Sequence, residues 1–232
     1  AEAGAPGVWV DARRLMVTDA EHTGAAPDMD ATRLRSRDVL GPMLLSGHLP
    51  VLGGFIGATP DGITTTLGRG GSDYSAAIFG ACLDVDEIQI WTDVDGMLTA
   101  DPRVVASPRL VRQLTFAEAS ELAYFGAKVL HPSTILPAVD QNIPVRILNS
   151  RRPDVEGTRI TASVEAGEST ITAIACKRDV TVVDITSTRM LMAHGFLRRL
   201  FEVFERFRTA VDVVTTSEVS VSVTVDDKRR LD

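Results

Sequence analysis

Aromatic residues are scarce, at 5% of 232 residues, so small and β-branched side chains must fill whatever core the chain builds. There are only two cysteines, Cys82 and Cys176, far apart and matching no metal or redox spacing. They are expected to be buried free thiols in a reducing compartment. His22, His48, His131 and His194 are scattered, which gives a zinc site no support, and no metal-ligating set is assigned. Basic residues are not in excess: the formal net charge is -7, so the chain lacks the electrostatic footprint expected for nucleic acid or an anionic membrane surface. No apolar run is long enough to span a bilayer, and no signal peptide is visible at Ala1. These absences lead to the expectation of a soluble, cytoplasmic protein. What is present is a 44% hydrophobic fraction, enough for one large domain or two modest ones.

The first seven residues have no periodicity, and Val8-Trp9-Val10-Asp11 then reads as a short strand. The segment 22–30 is rich in Gly, Ala, Pro and Asp and reads as a loop; a short helix is predicted over 30–40. Leu49-Pro50-Val51-Leu52 is a predicted strand running into a glycine-rich loop over 53–58. The loop 68–73 empties into the small, apolar run 74–81, predicted to be a buried helix capped by Ser72 or Asp73. Strands are predicted at 87–91 and 145–148, and a helix at 116–125 that stops at Gly126. Strands alternating with helices argue an α/β domain with a mainly parallel sheet. Composition shifts near Ser150-Arg151-Arg152-Pro153 and stays altered to Gly167, so a first domain over 1–160 and a second over 168–232 are expected, with Arg151-Arg152-Pro153 read as linker. In the second, a strand at 180–185 precedes a helix with Phe196, Leu200, Val203, Phe204 and Phe207 on one face. Val219, Val221, Val223 and Val225 then alternate with Ser220, Ser222 and Thr224, a half-buried strand. Strand, helix, strand, strand is the opening of a ferredoxin-like βαββαβ unit.

Chemistry can sit at three places. In Gly68-Arg69-Gly70-Gly71-Ser72-Asp73 the glycines let backbone approach a ligand, Arg69 offers a fork for a carboxylate, and Asp73 can accept from an ammonium group. Together they suit a zwitterion such as an amino acid. The loop is neither a P-loop nor a dinucleotide fingerprint, and a plain tight turn before a helix stays open. Thr92-Asp93-Val94-Asp95-Gly96 follows a predicted strand, where open α/β sheets bind ligands; an ordinary Asp-Gly turn is the alternative. Arg103 and Lys128 each put one cation beside a turn, as phosphoryl transfer requires, or are surface charges.

These segments occur together and in order: Thr64-Thr65-Thr66-Leu67-Gly68-Arg69-Gly70-Gly71-Ser72-Asp73, Trp91-Thr92-Asp93-Val94-Asp95-Gly96, Thr99-Ala100-Asp101-Pro102-Arg103 and Phe125-Gly126-Ala127-Lys128-Val129-Leu130-His131-Pro132. The set resembles the aspartate kinases of the amino-acid kinase superfamily. The tail from Val211 to Ser220 resembles the first regulatory ACT domain of those enzymes. The resemblance covers nearly the whole chain after about Val8.

It implies the C-terminal part of an amino-acid-kinase-type sandwich followed by a partial ferredoxin-like ACT domain. It implies transfer of the γ-phosphoryl group of ATP to the side-chain carboxylate of L-aspartate, with Mg2+, on the route to lysine, threonine and methionine. Arg69, Asp73 and Lys128 take the catalytic positions, and Thr66 and Ser72 line the aspartate pocket with Arg69 and Asp73. Thr92, Asp93, Leu98, Arg103 and Lys128 lie at ATP; Leu98 stands where many relatives carry a tyrosine. The family's Lys-Phe-Gly-Gly motif and an upstream glutamate are absent, so the chain is expected to be a fragment that is inactive alone. The resemblance further implies an amino-acid effector, lysine or threonine, held between ACT domains of a homodimer by Met190, Ala193, Gly195, Val211, Asp212, Thr216 and Glu218. Asp212 would pair with the effector's ammonium, and Ala193 replaces a frequent serine. The competing expectations are a non-catalytic amino-acid-sensing subunit and a kinase acting on glutamate or a related acid.

Overall fold

The computed structural model describes residues 4–125, 130, 132–164, 171–190 and 194–225. The chain divides into two compact units, Ala1–Ala175 and Cys176–Asp232.

The first unit opens with β1 (Gly7–Val10), which pairs in parallel with β2 (Leu49–Leu52). Between them runs α1 (Met29–Leu45), started by Asp28, whose carboxylate accepts from the Ala31 amide at 3.0 Å. It runs five residues past the predicted end and takes Pro42 into its last turns; Thr32, Ser36 and Leu40 form its buried stripe. A short hairpin follows, β3 (Ile56–Ala58) with antiparallel β4 (Thr64–Thr66), and then α2 (Gly71–Leu83). Strands β5 (Ile88–Thr92), β6 (Gln113–Thr115), β7 (Val145–Asn149) and β8 (Thr158–Thr161) form one sheet in the order β5-β7-β8-β6. The β5/β7 and β6/β8 pairs are parallel and β7/β8 is antiparallel, so the sheet is mixed. Helices α3 (Phe116–Phe125) and α4 (Leu136–Asp140) complete the unit.

Its core is aliphatic, as the lack of aromatics requires. Ile88, Ile90, Leu114, Val145, Ile147 and Ile160 from the sheet meet Ala77 and Ala81 of α2 and Ala138 of α4. Small residues on α2 let the helix lie close to the sheet: a Cβ on Gly80 would stand 2.7 Å from the Ile88 side chain. The four residues between α2 and β5 reverse the chain, so α2 runs back along β5. The N-terminus of α2 and the C-terminus of β5 therefore face the same end of the sheet.

The second unit holds β9 (Thr181–Thr186), α5 (Phe196–Arg206), β10 (Val214–Thr216) and β11 (Ser220–Val225) in an antiparallel sheet ordered β10-β11-β9. This is the strand order of the first half of a ferredoxin-like unit. Val221, Val223 and Val225 are fully buried, and the serines and threonine between them are not. On α5 the partly buried residues are Phe196, Leu200, Phe201 and Phe204. Val203 and Phe207, expected on that face, are 52% and 56% exposed, because the stripe follows i, i+4, i+8 and takes in Phe201 instead.

Two further expectations are corrected. Cys82 is buried, but Cys176 is exposed. Neither Ser72 nor Asp73 caps α2: the N-cap is Gly70, at φ 71°, with no side-chain cap, because the helix already begins at Gly71. Glycine carries that left-handed φ without a Cβ penalty.

Candidate functional site

Three loops converge where α2 begins. The amide of Phe55 donates to Ser75 Oγ at 2.9 Å, and Ser75 Oγ donates to the Gly71 carbonyl at 2.7 Å. The Leu67 amide donates to the Phe55 carbonyl at 2.9 Å. These bonds hold Phe55 at φ 75°, a left-handed conformation that costs a bulky residue about 1–3 kcal/mol. Thr66 donates from both its amide, 2.9 Å, and its hydroxyl, 2.8 Å, to the carbonyl of His22. Loops 22–25, 53–57 and 67–73 are thereby tied into one cradle. Ser75 is not picked out by the sequence motif; its signal is a hydroxyl four residues after Gly71, at the spacing that lets a helical serine bond back to the i−4 carbonyl.

On this cradle Arg69 and Ser72 are exposed, and among the described residues no hydrogen bond or ion pair engages the Arg69 guanidinium. Asp73 lies half-buried in the first turn of α2. Burial pushes its carboxyl above the ordinary aspartate range. An exposed cation and a partly desolvated carboxylate at one loop–helix junction suit a zwitterion, and the Thr66 hydroxyl is spent on holding loop 22–25.

The second cluster lies at the ends of the parallel pair β5 and β7. Thr92 Oγ1 stands 3.4 Å from Asp93 Oδ1, and Asp93 is exposed. Asp95 is held from both sides: Asn149 Nδ2 donates to its Oδ1 at 2.7 Å and Arg152 Nη1 to its Oδ2 at 2.6 Å. Arg152, expected to be linker, is thus tied to the β5 exit. Gly96 follows at φ 140°; a Cβ there would run into the hydroxyl of Thr158, which accepts from the Met97 amide at 2.8 Å. Leu98 bridges Leu110, and Thr99 is fastened to Arg109 by Thr99 N–H to Arg109 O, 2.9 Å, and Arg109 N–H to Thr99 Oγ1, 3.0 Å. Arg103, 75% exposed along its side chain, grips Asp101 through Nε at 3.0 Å and Nη2 at 2.6 Å.

A capping box starts α3. Glu118 Oε2 accepts from the Thr115 amide and hydroxyl, both at 2.8 Å, and the Glu118 amide donates to Thr115 Oγ1 at 3.1 Å. The Thr115 amide and hydroxyl, and then Thr172, hold the Glu118 carboxyl below its ordinary range. Thr172 donates to Glu118 Oε1 at 2.9 Å, and the Ile174 amide donates to the Thr99 carbonyl at 2.8 Å. Segment 171–175 therefore belongs to the first unit, which closes at Ala175 and includes all of β8. Lys128 lies outside the described residues.

In the second unit Met190 ends a short turn over Thr188–Met190, and Gly195, φ 73°, begins α5. Val211 is half-buried; Thr216 and Glu218 are exposed. The Asp212 side chain is 5% exposed and faces Lys177 Nζ at 3.2 Å. Its carboxylate, expected to meet an effector's ammonium, meets the chain's own. Ala193 lies outside the described residues. Among the described residues no helix is long and apolar enough to cross a membrane.

Comparison with known proteins adds lineage to this geometry. The sequence profile of the Amino acid kinase family matches residues 2–149. The chain is 50% identical to "Aspartokinase 3, chloroplastic" of Arabidopsis thaliana over 195 residues, 84% of this chain and 35% of that protein. It is 44% identical to "Lysine-sensitive aspartokinase 3" of Escherichia coli (strain K12) over 218 residues, 94% of this chain and 48% of that protein. Among solved structures, E. coli aspartokinase III in complex with aspartate and ADP superposes with a TM-score of 0.81 at 42% identity, covering 98% of this chain and 50% of that one. The chain spans between about a third and a half of the length of these relatives.

Proposed function

The chain belongs to the amino acid kinase family, and from that premise we propose that it is the substrate-binding part of an aspartate kinase joined to the start of an amino-acid-sensing ACT region. The supporting observation is that the amino-acid cradle at 66–73 and the strand-end loop at 92–98 face one end of the same sheet. Likeness to aspartokinases that runs through both units agrees with it.

In this reading Arg69 clamps a carboxylate of L-aspartate, with Ser72 and Thr66 in the same cradle. Asp73 faces the amino group, and the substrate's ammonium restores the ionised form that burial disfavours. Thr92 and Asp93 meet the nucleotide, Leu98 packs on adenine, and Arg103 and Lys128 hold phosphates. A carboxylate oxygen of aspartate attacks the γ-phosphorus while the bond from phosphorus to the β–γ bridging oxygen breaks, giving 4-phosphoaspartate and ADP. The attacking oxygen is already anionic, so no general base is needed. The site's task is to bring two anions together and stabilise spread charge. Mg2+ usually binds through one or two carboxylates plus phosphate oxygens, and the exposed Asp93 carboxylate fits such an ion. When bound, it neutralises phosphate charge.

Lysine or threonine is the proposed effector, bound in the second unit near Met190, Gly195, Val211, Asp212, Thr216 and Glu218, between the ACT regions of a homodimer. The likeness to a lysine-sensitive enzyme favours lysine.

The test is hydroxamate formation from aspartate, ATP and Mg2+, using this chain beside a version extended upstream, each with and without lysine. Turnover by the extended protein alone, reduced by lysine, is the expected result. Turnover by the short chain refutes its dependence on an upstream segment. If neither protein turns over but an amino acid binds, the sensing-subunit reading replaces this one. Turnover of glutamate in preference to aspartate reassigns the substrate.

A further inference from the structure

The β5 exit loop carries two carboxylates, Asp93 and Asp95, and the structure treats them differently. β5 and β7 are parallel neighbours with level ends, Thr92 opposite Asn149, so both exit loops leave the sheet side by side. The Ser150 amide and hydroxyl both donate to the Thr92 carbonyl, at 2.8 and 2.9 Å. One step further out, each Asp95 oxygen accepts one donor, from Asn149 and from Arg152. Asn149 is 5% exposed, and its own carbonyl oxygen accepts from the Arg151 amide at 2.9 Å. That second bond fixes which way the amide points, so its NH2 group must face Asp95. Pro153 disfavours the helical region for Arg152, which narrows the backbone conformations open to it. Beyond Asp95, the Met97 amide is pinned to Thr158. The loop is therefore anchored at Thr92, Asp95 and Met97, and Asp93 and Val94 stand exposed between anchors.

Stability alone is a poor account of this arrangement. The Arg152 side chain is 63% exposed, and ion pairs so placed contribute about 0–1 kcal/mol. Fixing a ligand-binding loop before the ligand arrives, in contrast, removes an ordering cost from binding. We propose that Asp95, Asn149 and Arg152 form a positioning latch that presets the β5 exit loop for a nucleoside di- or triphosphate, leaving Asp93 as that loop's ligand-facing carboxylate. This rests on the nucleotide reading of the loop. Asp95 and Arg152 are positioning residues: they act on the nucleotide through the loop. None of the hydrogen bonds that tie loops 22–25, 53–57 and 67–73 together involves these three side chains. The latch should therefore serve one substrate and not the other.

The experiment compares wild type, Arg152→Met, Arg152→Lys, Asp95→Asn and the Asp95→Asn/Arg152→Met pair in the full-length protein. It measures the Kd of MgADP by calorimetry, KM for ATP and for aspartate, and Tm. Arg152→Met should raise the ADP Kd and the ATP KM about fivefold to tenfold, the scale of one charge-assisted hydrogen bond, with the aspartate KM changed by less than about twofold. Arg152→Lys should recover most of the loss, and the double variant should be no worse than Asp95→Asn alone. Unchanged ADP affinity in Arg152→Met overturns the latch. So does a parallel loss for both substrates that follows Tm and is not rescued by lysine. A wild-type protein that binds no nucleotide overturns the latch and the kinase reading together, whereas normal wild-type binding with an indifferent Arg152→Met removes the latch alone.

Discussion

Asp73 illustrates how one residue can be costly to the fold and useful to the site. Burial raises its carboxyl above the ordinary range, so the folded state holds the proton more tightly than the unfolded state does. Stability therefore falls as pH rises from the ordinary aspartate value, about 4, through the raised one, and the penalty is complete above it. Asp73→Asn should melt at a higher temperature than wild type at pH 7, and the gain should vanish when melts are repeated below about pH 4. On the proposed kinase reading, in which Asp73 faces the ammonium of aspartate, the same substitution in the full-length protein should lower kcat/KM for aspartate by about a hundredfold. A difference in Tm between variant and wild type that is the same at both pH values would show that Asp73 is not under desolvation stress. At this scale the sequence was legible in part. The motif picks out Arg69, Ser72 and Asp73, but residue type says nothing about burial, and Cys176, expected to be buried, is exposed. Arg152 looked like linker because its partner, Asp95, lies 57 positions away, beyond any local pattern.

Elements with a long repeat were readable; short ones were not. The alternation in β11 and the apolar run of β7 announce themselves, whereas β3, β4 and β6 have three residues each, too few for a period to register. The α2 cap is hidden in the sequence because Gly68, Gly70 and Gly71 can all take a left-handed φ; the structure gives one to Gly68 and to Gly70, and Gly70 is the cap. The start of α3 shows what a short strand can conceal. Thr115 ends β6 and also caps α3, so Thr115-Phe116-Ala117-Glu118 is a capping box that joins sheet to helix. Thr115→Ala should cost about 1 kcal/mol in denaturant unfolding. Glu118 adds a pH signature. Its folded-state carboxyl titrates below the unfolded one, so its contribution is present above the ordinary glutamate range and is lost as pH falls through the lowered value. The difference in stability between wild type and Glu118→Gln should therefore shrink on acidification. A constant difference down to acid pH would mean that the carboxylate's charge is irrelevant to the cap.

For the molecule as a whole, the order of its motifs made the architecture legible, but the seam between its units was not. Composition changes near Arg151-Arg152-Pro153, yet that stretch is stitched into the first unit by Arg152 and followed by β8, whose Ile160 is fully buried between β6 and β7. Ile171-Thr172-Ala173-Ile174-Ala175 reads as the lead-in to the second unit, but its hydrogen bonds return to the first: Thr172 to the α3 cap and Ile174 to Thr99 in the β5 exit. Ala173 also packs against the first unit's core. The first unit thus ends in a strap that touches both the helix before Lys128 and the loop assigned to nucleotide. Two shortened chains separate composition from contact as the guide to that seam, one ending at Ala175 and one at Val164. Among the described residues, the shorter loses the Thr172 and Ile174 hydrogen bonds and the burial of Ala173, so it should be less stable by about 1–3 kcal/mol in urea unfolding. Thr172→Val within the longer chain should reproduce about 1 kcal/mol of that difference. Equal stability of the two chains would mean that the strap rests on the first unit without supporting it, and that the seam lies where the composition changes.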